Sequence, residues 1–133
     1  PTTEAPVTEA PTSDLGQQIA NFACQFVGNP YVWGGTSLTN GADCSGFVQS
    51  VYKNFGYSLP RTCTPQSNAG TAVSLAALAP GDLVFYDHGT GSCEHVGIYI
   101  GNGQIVHASS SRTGIKISNV NYSTPFKACR IVN

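Results

Sequence analysis

The stretch "HVGIYIGNGQIVHA", His95 to Ala108, decides how the C-terminal half folds. Two apolar runs of alternating character flank Gly101-Asn102-Gly103, a glycine-rich segment suited to a hairpin loop. With those three residues as the loop, Ile100 faces Gln104, Gly97 faces His107, and His95 lies diagonal to His107 on one face. Val96, Ile98, Ile100, Val106 and Ala108 then fall on the other face, which reads as the core side. Diagonal neighbours on one sheet face stand about 7–8 Å apart, within side-chain reach. The hairpin therefore presents two imidazoles together, with a glycine opposite one of them.

Outward from this hairpin, "PGDLVFYD" before it and "GIKISNV" and "KACRIVN" after it read as further short strands of an antiparallel meander. The N-terminal half has helical spacing instead. Leu15, Ile19, Phe22, Ala23 and Phe26 recur along Asp14–Val27, with Gly28 and Pro30 to end the helix. Phe47, Val48, Val51, Tyr52 and Phe55 form a second stripe, closed by Gly56. The segment "LPRTCTPQSNAG" between the halves carries no periodic signal. Helices first and strands afterwards imply an α+β layer architecture, with N-terminal helices packed on an antiparallel sheet.

The chain has 133 residues, enough for one domain with a real core. Residues 1–13, "PTTEAPVTEAPTS", repeat TEAP and lack apolar periodicity, so they read as an extended Thr/Pro-rich linker before a domain at 14–133. The chain starts at Pro1 without Met, as expected of a processed or excised piece of a longer protein. A net charge of −1 and the lack of a Lys/Arg stripe argue against nucleic acid. No apolar run reaches the roughly 18 residues of a membrane span. Five cysteines point to an oxidising compartment, and the odd count leaves at least one thiol unpaired.

One of the five, Cys44, opens the second helix in "ADCSGFVQSVY". The positive end of a helix dipole favours a thiolate there. A thiolate, the base His95 and an orienting His107 would form a nucleophile–base–orienter set. Other readings of the same residues stay open here: a buried helix cysteine, surface histidines, or a metal site drawn from Cys44, Cys93, His95 and His107. The spacing Cys93-x-His95 and the absence of a C-x-x-C pair speak against the metal.

Six motifs in order, "PYVWGG" (Pro30–Gly35), "DCSGF" (Asp43–Phe47), "LPRT" (Leu59–Thr62), "PGDLVFY" (Pro80–Tyr86), "HVGIYIG" (His95–Gly101) and "VHAS" (Val106–Ser109), resemble the NlpC/p60 family of cell-wall cysteine peptidases, which has a papain-like fold. The resemblance implies Cys44 as nucleophile, His95 as base and His107 as the orienting residue. It also implies that Tyr31 lines the site, that Asp43 and Ser45 shape substrate recognition, and that Arg61 lies near the cleft with a structural role. The implied activity is endopeptidase cleavage of peptidoglycan stem peptides between γ-D-glutamate and the diamino acid, diaminopimelate or lysine, at the third position. The implied protein is secreted or at the cell surface, a monomer with no metal or organic cofactor and no membrane insertion. An amidase or acyltransferase on the same scaffold, or an inactive wall-binding module, is the alternative. In the resemblance Cys63 and Cys93 fall on loops flanking one cleft, which pairs them. Cys24 points away from the first helix's apolar stripe and is expected to pair with Cys129, leaving Cys44 reduced.

Overall fold

A computed structural model describes residues 14–132, so the Thr/Pro segment 1–13 lies outside the described residues. Helix α1 (Asp14–Cys24) buries Ile19 and Ala23 completely. It ends one turn earlier than the apolar spacing predicts. The N–H groups of Gln25, Phe26 and Val27 bond carbonyls three residues back, at 3.1, 3.2 and 3.4 Å. This tightened last turn delivers the chain to Gly28, whose φ of 98° lets it leave the helix axis.

A two-residue hairpin, β1 (Thr36–Ser37) with β2 (Gly41–Ala42), precedes α2 (Cys44–Lys53). Phe47, Val48, Val51 and Tyr52 of α2 are fully buried, as the stripe predicts. The hydroxyl of Tyr52 donates to the Gly81 carbonyl, anchoring α2 to the turn before the sheet. Next come a short helix α3 (Cys63–Ser67) and a two-residue strand β3 (Thr71–Ala72), neither of which carries a periodic signal in the sequence. Elements this short draw their stability from tertiary contacts rather than from propensity.

The sheet is completed by β4 (Leu83–Tyr86), β5 (His95–Gly101), β6 (Gln104–Ser110), β7 (Gly114–Asn119) and β8 (Pro125–Arg130). All pairs are antiparallel and the strand order is β3-β8-β4-β5-β6-β7. The meander therefore holds from β4 to β7, but β8 crosses back to the far edge of β4 instead of continuing it. The run Leu83–Tyr86 is buried at all four positions, so β4 is an interior strand with a partner on each side. Arg130 fixes the returning strand through Nε and Nη2, each 2.8 Å from a carboxylate oxygen of the buried Asp82.

That topology corrects one expectation. Cys24 and Cys129 are both free. The last strand does not lie along the outer side of α1. It enters between β3 and β4, where fully buried Cys129 faces Leu83 across the ladder and its thiol meets the Gln66 carbonyl at 3.5 Å. Cys24 stays half-buried on α1, against the edge of the core. Cys63 and Cys93 do form a disulfide, with 5.9 Å between their Cα atoms.

The hairpin also differs in detail. Its loop has two residues, Asn102 and Gly103, both at positive φ (55° and 74°), as in a type I′ turn. Gly101 pairs with Gln104, whereas Tyr99 pairs with Ile105 and Ile98 with Val106. Ile100 is thus an extra residue in β5, a bulge that restores the register a shorter loop would shift by one. His95 and His107 consequently share a face as expected. A Cβ on Gly97 would come within 3.2 Å of His107 Cβ, which places that glycine against the imidazole-bearing residue.

The sheet is covered on both faces. The helices pack on Leu83, Phe85, Val96, Ile98, Val106 and Ala108. The opposite face is not open: Leu78, Val84, Tyr86, Tyr99, Ile105 and Val120 form a second, smaller apolar cluster on it.

Candidate active site

Asp43 is the N-cap of α2. Its Oδ1 accepts the Gly46 N–H at 2.8 Å, which turns the helix start and sets Cys44 at its first position. Gly46 has no alternative there, because a Cβ would collide with the Gly35 carbonyl. In "WGG", Gly34 takes a positive φ of 79°, and Gly35 sits where a Cβ would collide with the Gly41 carbonyl. Arg61 completes the arrangement with a bidentate pair to Asp43, Nη1–Oδ1 3.1 Å and Nη2–Oδ2 3.0 Å, and a bond from Nη1 to Ser45 Oγ at 3.0 Å. The Gly34 N–H donates to Asp43 Oδ2 at 2.9 Å. Burial by itself would raise the Asp43 carboxyl, but the Arg61 hydrogen bonds, the Gly46 and Gly34 N–H groups and the Arg61 charge bring it below the usual carboxylate range.

Cys44 Sγ meets the backbone N–H of Val96, the residue that follows His95, and the N–H groups of Ser45 and Cys44 itself. The helix start therefore abuts the first residues of β5. Burial nevertheless pushes the Cys44 thiol up, with a further push from Asp43, and outweighs these three N–H groups. Burial therefore works against the helix-start pull toward a thiolate. The physical reason is desolvation, which the sequence does not display.

His95 and His107 are buried (6% and 0% exposed) and joined by a 2.6 Å hydrogen bond between His95 Nε2 and His107 Nδ1. His107 Nε2 meets Ser118 Oγ at 2.8 Å. Burial, then the neighbouring His107 and His88, drives the His95 imidazole well below the ordinary range, and burial with Lys116 does the same for His107. Both rings are neutral at pH 7. When His95 Nε2–H is the donor in that bond, Nδ1 of His95 is the unprotonated ring nitrogen. Tyr122 packs on both rings, with centroids 5.2 Å from His107 and 6.4 Å from His95, and its phenol is pushed up to about 12, chiefly by burial and also by Cys44.

A cleft of about 400 Å³ opens over Cys44, walled by Tyr31, Trp33, Asp43, Ser45, Arg61 and Glu94. Tyr31, Asp43, Ser45 and Arg61, the four residues that the resemblance places at the site, thus line one cleft with the thiol. Asp43, Ser45 and Arg61 already spend their polar atoms on one another. A larger cavity of about 500 Å³, near Gln49, Lys53 and Tyr57, contains none of them.

Four further residues escape sequence reasoning: Ser118, Tyr122, His88 and Gln66. Gln66 Nε2 holds the Ser45 and Pro60 carbonyls at 3.0 and 2.8 Å from inside the core. His88 stacks on His95 at 5.9 Å. Only Ser118 leaves a trace in the sequence, as a hydroxyl on the same face of a strand neighbouring His107. No group of three or more His, Cys, Asp or Glu among the described residues is placed to hold a metal ion, and Cys93 is committed to its disulfide.

Residues 28–132 match the family model described as the NlpC/P60 family. A γ-D-glutamyl-L-lysine dipeptidyl-peptidase from Bacillus cereus is 42% identical over 105 residues, covering 77% of this chain and 31% of the relative. The crystal structure of an NlpC/P60 family protein from Bacillus cereus superposes with a TM-score of 0.81 at 38% identity, over 90% of this chain and 41% of that one. The NlpC/p60 domain of the peptidoglycan hydrolase SagA gives 0.79 at 36% identity, over 87% of this chain and 98% of that one. The chain spans about a third of the length of the curated relatives it matches first. Its α+β, papain-like architecture and its sequence agree: the chain belongs to the NlpC/P60 family.

Proposed function

We propose that this domain is a cysteine endopeptidase that hydrolyses peptidoglycan stem peptides at the bond between γ-D-glutamate and the third-position diamino acid. The observation that carries the reading is a helix-start thiol set against the strand that begins with His95, with His95 backed by His107 and Ser118. The relative named as a γ-D-glutamyl-L-lysine dipeptidyl-peptidase and the one named as a peptidoglycan hydrolase support the substrate class.

The resting pair is a neutral thiol and a neutral imidazole, so proton transfer accompanies attack. Cys44 Sγ bonds to the γ-carbonyl carbon as its proton passes to Nδ1 of His95. The oxyanion forms beside the N–H groups that face Sγ, where their fixed dipoles need no reorganisation. The imidazolium is held by the His107–Ser118 chain. Collapse breaks the C–N bond, the amine leaves with the proton from His95, and a thioester remains on Cys44. Water, losing its proton to His95, then releases the γ-glutamyl carboxylate and regenerates the thiol.

A disulfide within the domain supports a location outside the cytoplasm, at the wall where that substrate lies. No helix among the described residues is long and apolar enough to cross a membrane. Mass spectrometry of digests of lysine-type and diaminopimelate-type muropeptides, beside a Cys44→Ala control, tests the proposal. New termini at γ-D-glutamate support it; cleavage at the sugar–peptide amide would move the activity to the amidase class.

A further inference from the structure

Of the three charged side chains in the cleft wall, two cancel. Asp43 and Arg61 form a bidentate pair, and both are further engaged by backbone or hydroxyl groups. The third, Glu94, is exposed and forms no ion pair among the described residues. Among the described residues its carboxylate takes a side-chain hydrogen bond from Thr90 Oγ1 at 3.5 Å, too long to be a strong one. The wall that the cleft shares with Cys44 therefore carries one uncompensated negative charge.

This carboxylate stands on a fixed support. Cys93, the preceding residue, is tied to Cys63 of the cleft lining, and the Glu94 N–H donates to the Tyr86 carbonyl at 2.8 Å. His95 follows, the first residue of β5. A group that hands a proton to the leaving nitrogen must stand beside the leaving residue. Resting on the reaction proposed above, a leaving residue held near His95 would meet Glu94, the one unpaired charge in the lining of the cleft that holds Cys44.

We propose that Glu94 is a specificity residue that selects a leaving amino acid bearing a free side-chain ammonium. The charge of lysine meets a carboxylate that nothing else neutralises, whereas an acylated ε-nitrogen offers none. A domain built this way cuts stems whose third residue is unsubstituted in preference to stems in which that nitrogen is already joined to another chain. The pair is solvent-exposed, so its contribution is modest and screened by salt.

The test uses three peptides: L-alanyl-γ-D-glutamyl-L-lysine, its Nε-acetyl form and its Nα-acetyl form. For the wild-type chain, kcat/KM is expected to fall about 3- to 10-fold on Nε-acetylation, which corresponds to a surface-pair energy near 1 kcal/mol. The drop should shrink in 0.5 M salt. Glu94→Gln should bring the ratio between the lysine and Nε-acetyl-lysine peptides near one, Glu94→Asp should retain part of it, and Glu94→Lys should invert it. The same discrimination in wild type and Glu94→Gln would overturn the proposal. Discrimination lost in Glu94→Gln only for the Nα-acetyl peptide would also overturn it, by assigning the carboxylate to the terminal amine. If the wild-type chain cleaves none of the three, the reaction itself is wrong and the specificity role falls with it; cleavage of all three at one rate removes only the role of Glu94.

Discussion

His95 and His107, both buried, share a 2.6 Å hydrogen bond between Nε2 of the first and Nδ1 of the second, so Nδ1 of His95 is its ring nitrogen outside that bond. His107 in turn rests on Ser118 Oγ at 2.8 Å. In the proposed mechanism His95 Nε2–H donates along this chain, which keeps Nδ1 unprotonated and supports the imidazolium formed on attack. His107→Ala is expected to reduce kcat about 10²- to 10⁴-fold, since an orienting partner contributes less than the nucleophile itself. Ser118→Ala should cost about 10-fold or less. Single-turnover rates on a stem peptide check both, and a Ser118→Ala loss equal to that of His107→Ala would contradict the ordering.

Acid should destabilise this domain before its carboxylates titrate. Both imidazoles are held below their ordinary value near 6.5, so they stay neutral in the folded chain while the unfolded chain takes up protons below that pH. Their stabilising effect is thus lost as pH falls, at up to about 1.4 kcal/mol per pH unit per ring. Asp43, whose folded value is depressed, contributes its own loss only below about pH 4. Urea midpoints should drop between pH 7 and pH 5, and the drop should be smaller in a His95→Asn, His107→Asn double variant. Equal drops in both proteins would refute it.

Reducing the Cys63–Cys93 bond, which closes a separation of 30 residues, is expected to lower stability by about 3–4 kcal/mol on the loop-entropy scale. The bond also fixes the residue two before His95, so kcat should fall in a Cys63→Ser, Cys93→Ser variant even where it is fully folded. Thermal melts and activity on the same samples distinguish the two effects, and unchanged activity below the melt would remove the positioning role.

Arg61→Ala leaves the Asp43 carboxylate, whose side chain is 13% exposed, without its counter-ion at the start of α2. A loss of about 2 kcal/mol is expected, below the cost of a fully buried pair because Arg61 is about one-third exposed. Arg61→Lys should recover only part of it, since one ammonium cannot reproduce the fork. Urea denaturation of the three proteins measures this directly.

How far the sequence goes is visible in the hairpin. Alternation in "HVGIYI" and "QIVHA" is enough to put both histidines on one face, yet the loop length read from it is wrong by one residue. The bulge at Ile100 corrects that error, and nothing local announces it, because a bulge is settled by packing on both sheet faces. The helix stripes are legible for the same reason the strands are: periodic burial. The return of β8, the short α3 and the Gln66 bridge are not, being products of contacts between distant segments. The charge state of Cys44 belongs with them. A dipole can be read from position, whereas desolvation is known only once the chain has closed around the thiol.

The central claim is that Cys44 carries the acyl group. Rapid acid quench of the wild-type chain turning over a γ-D-glutamyl stem peptide, followed by peptide mapping by mass spectrometry, tests it most directly. The account predicts a γ-glutamyl thioester on the Cys44 peptide, prior alkylation of Cys44 by iodoacetamide that abolishes both adduct and product, activity that persists in chelator, and no turnover by folded Cys44→Ala. Product formed at the wild-type rate by Cys44→Ala, with no adduct on Cys44 at any time, would contradict it.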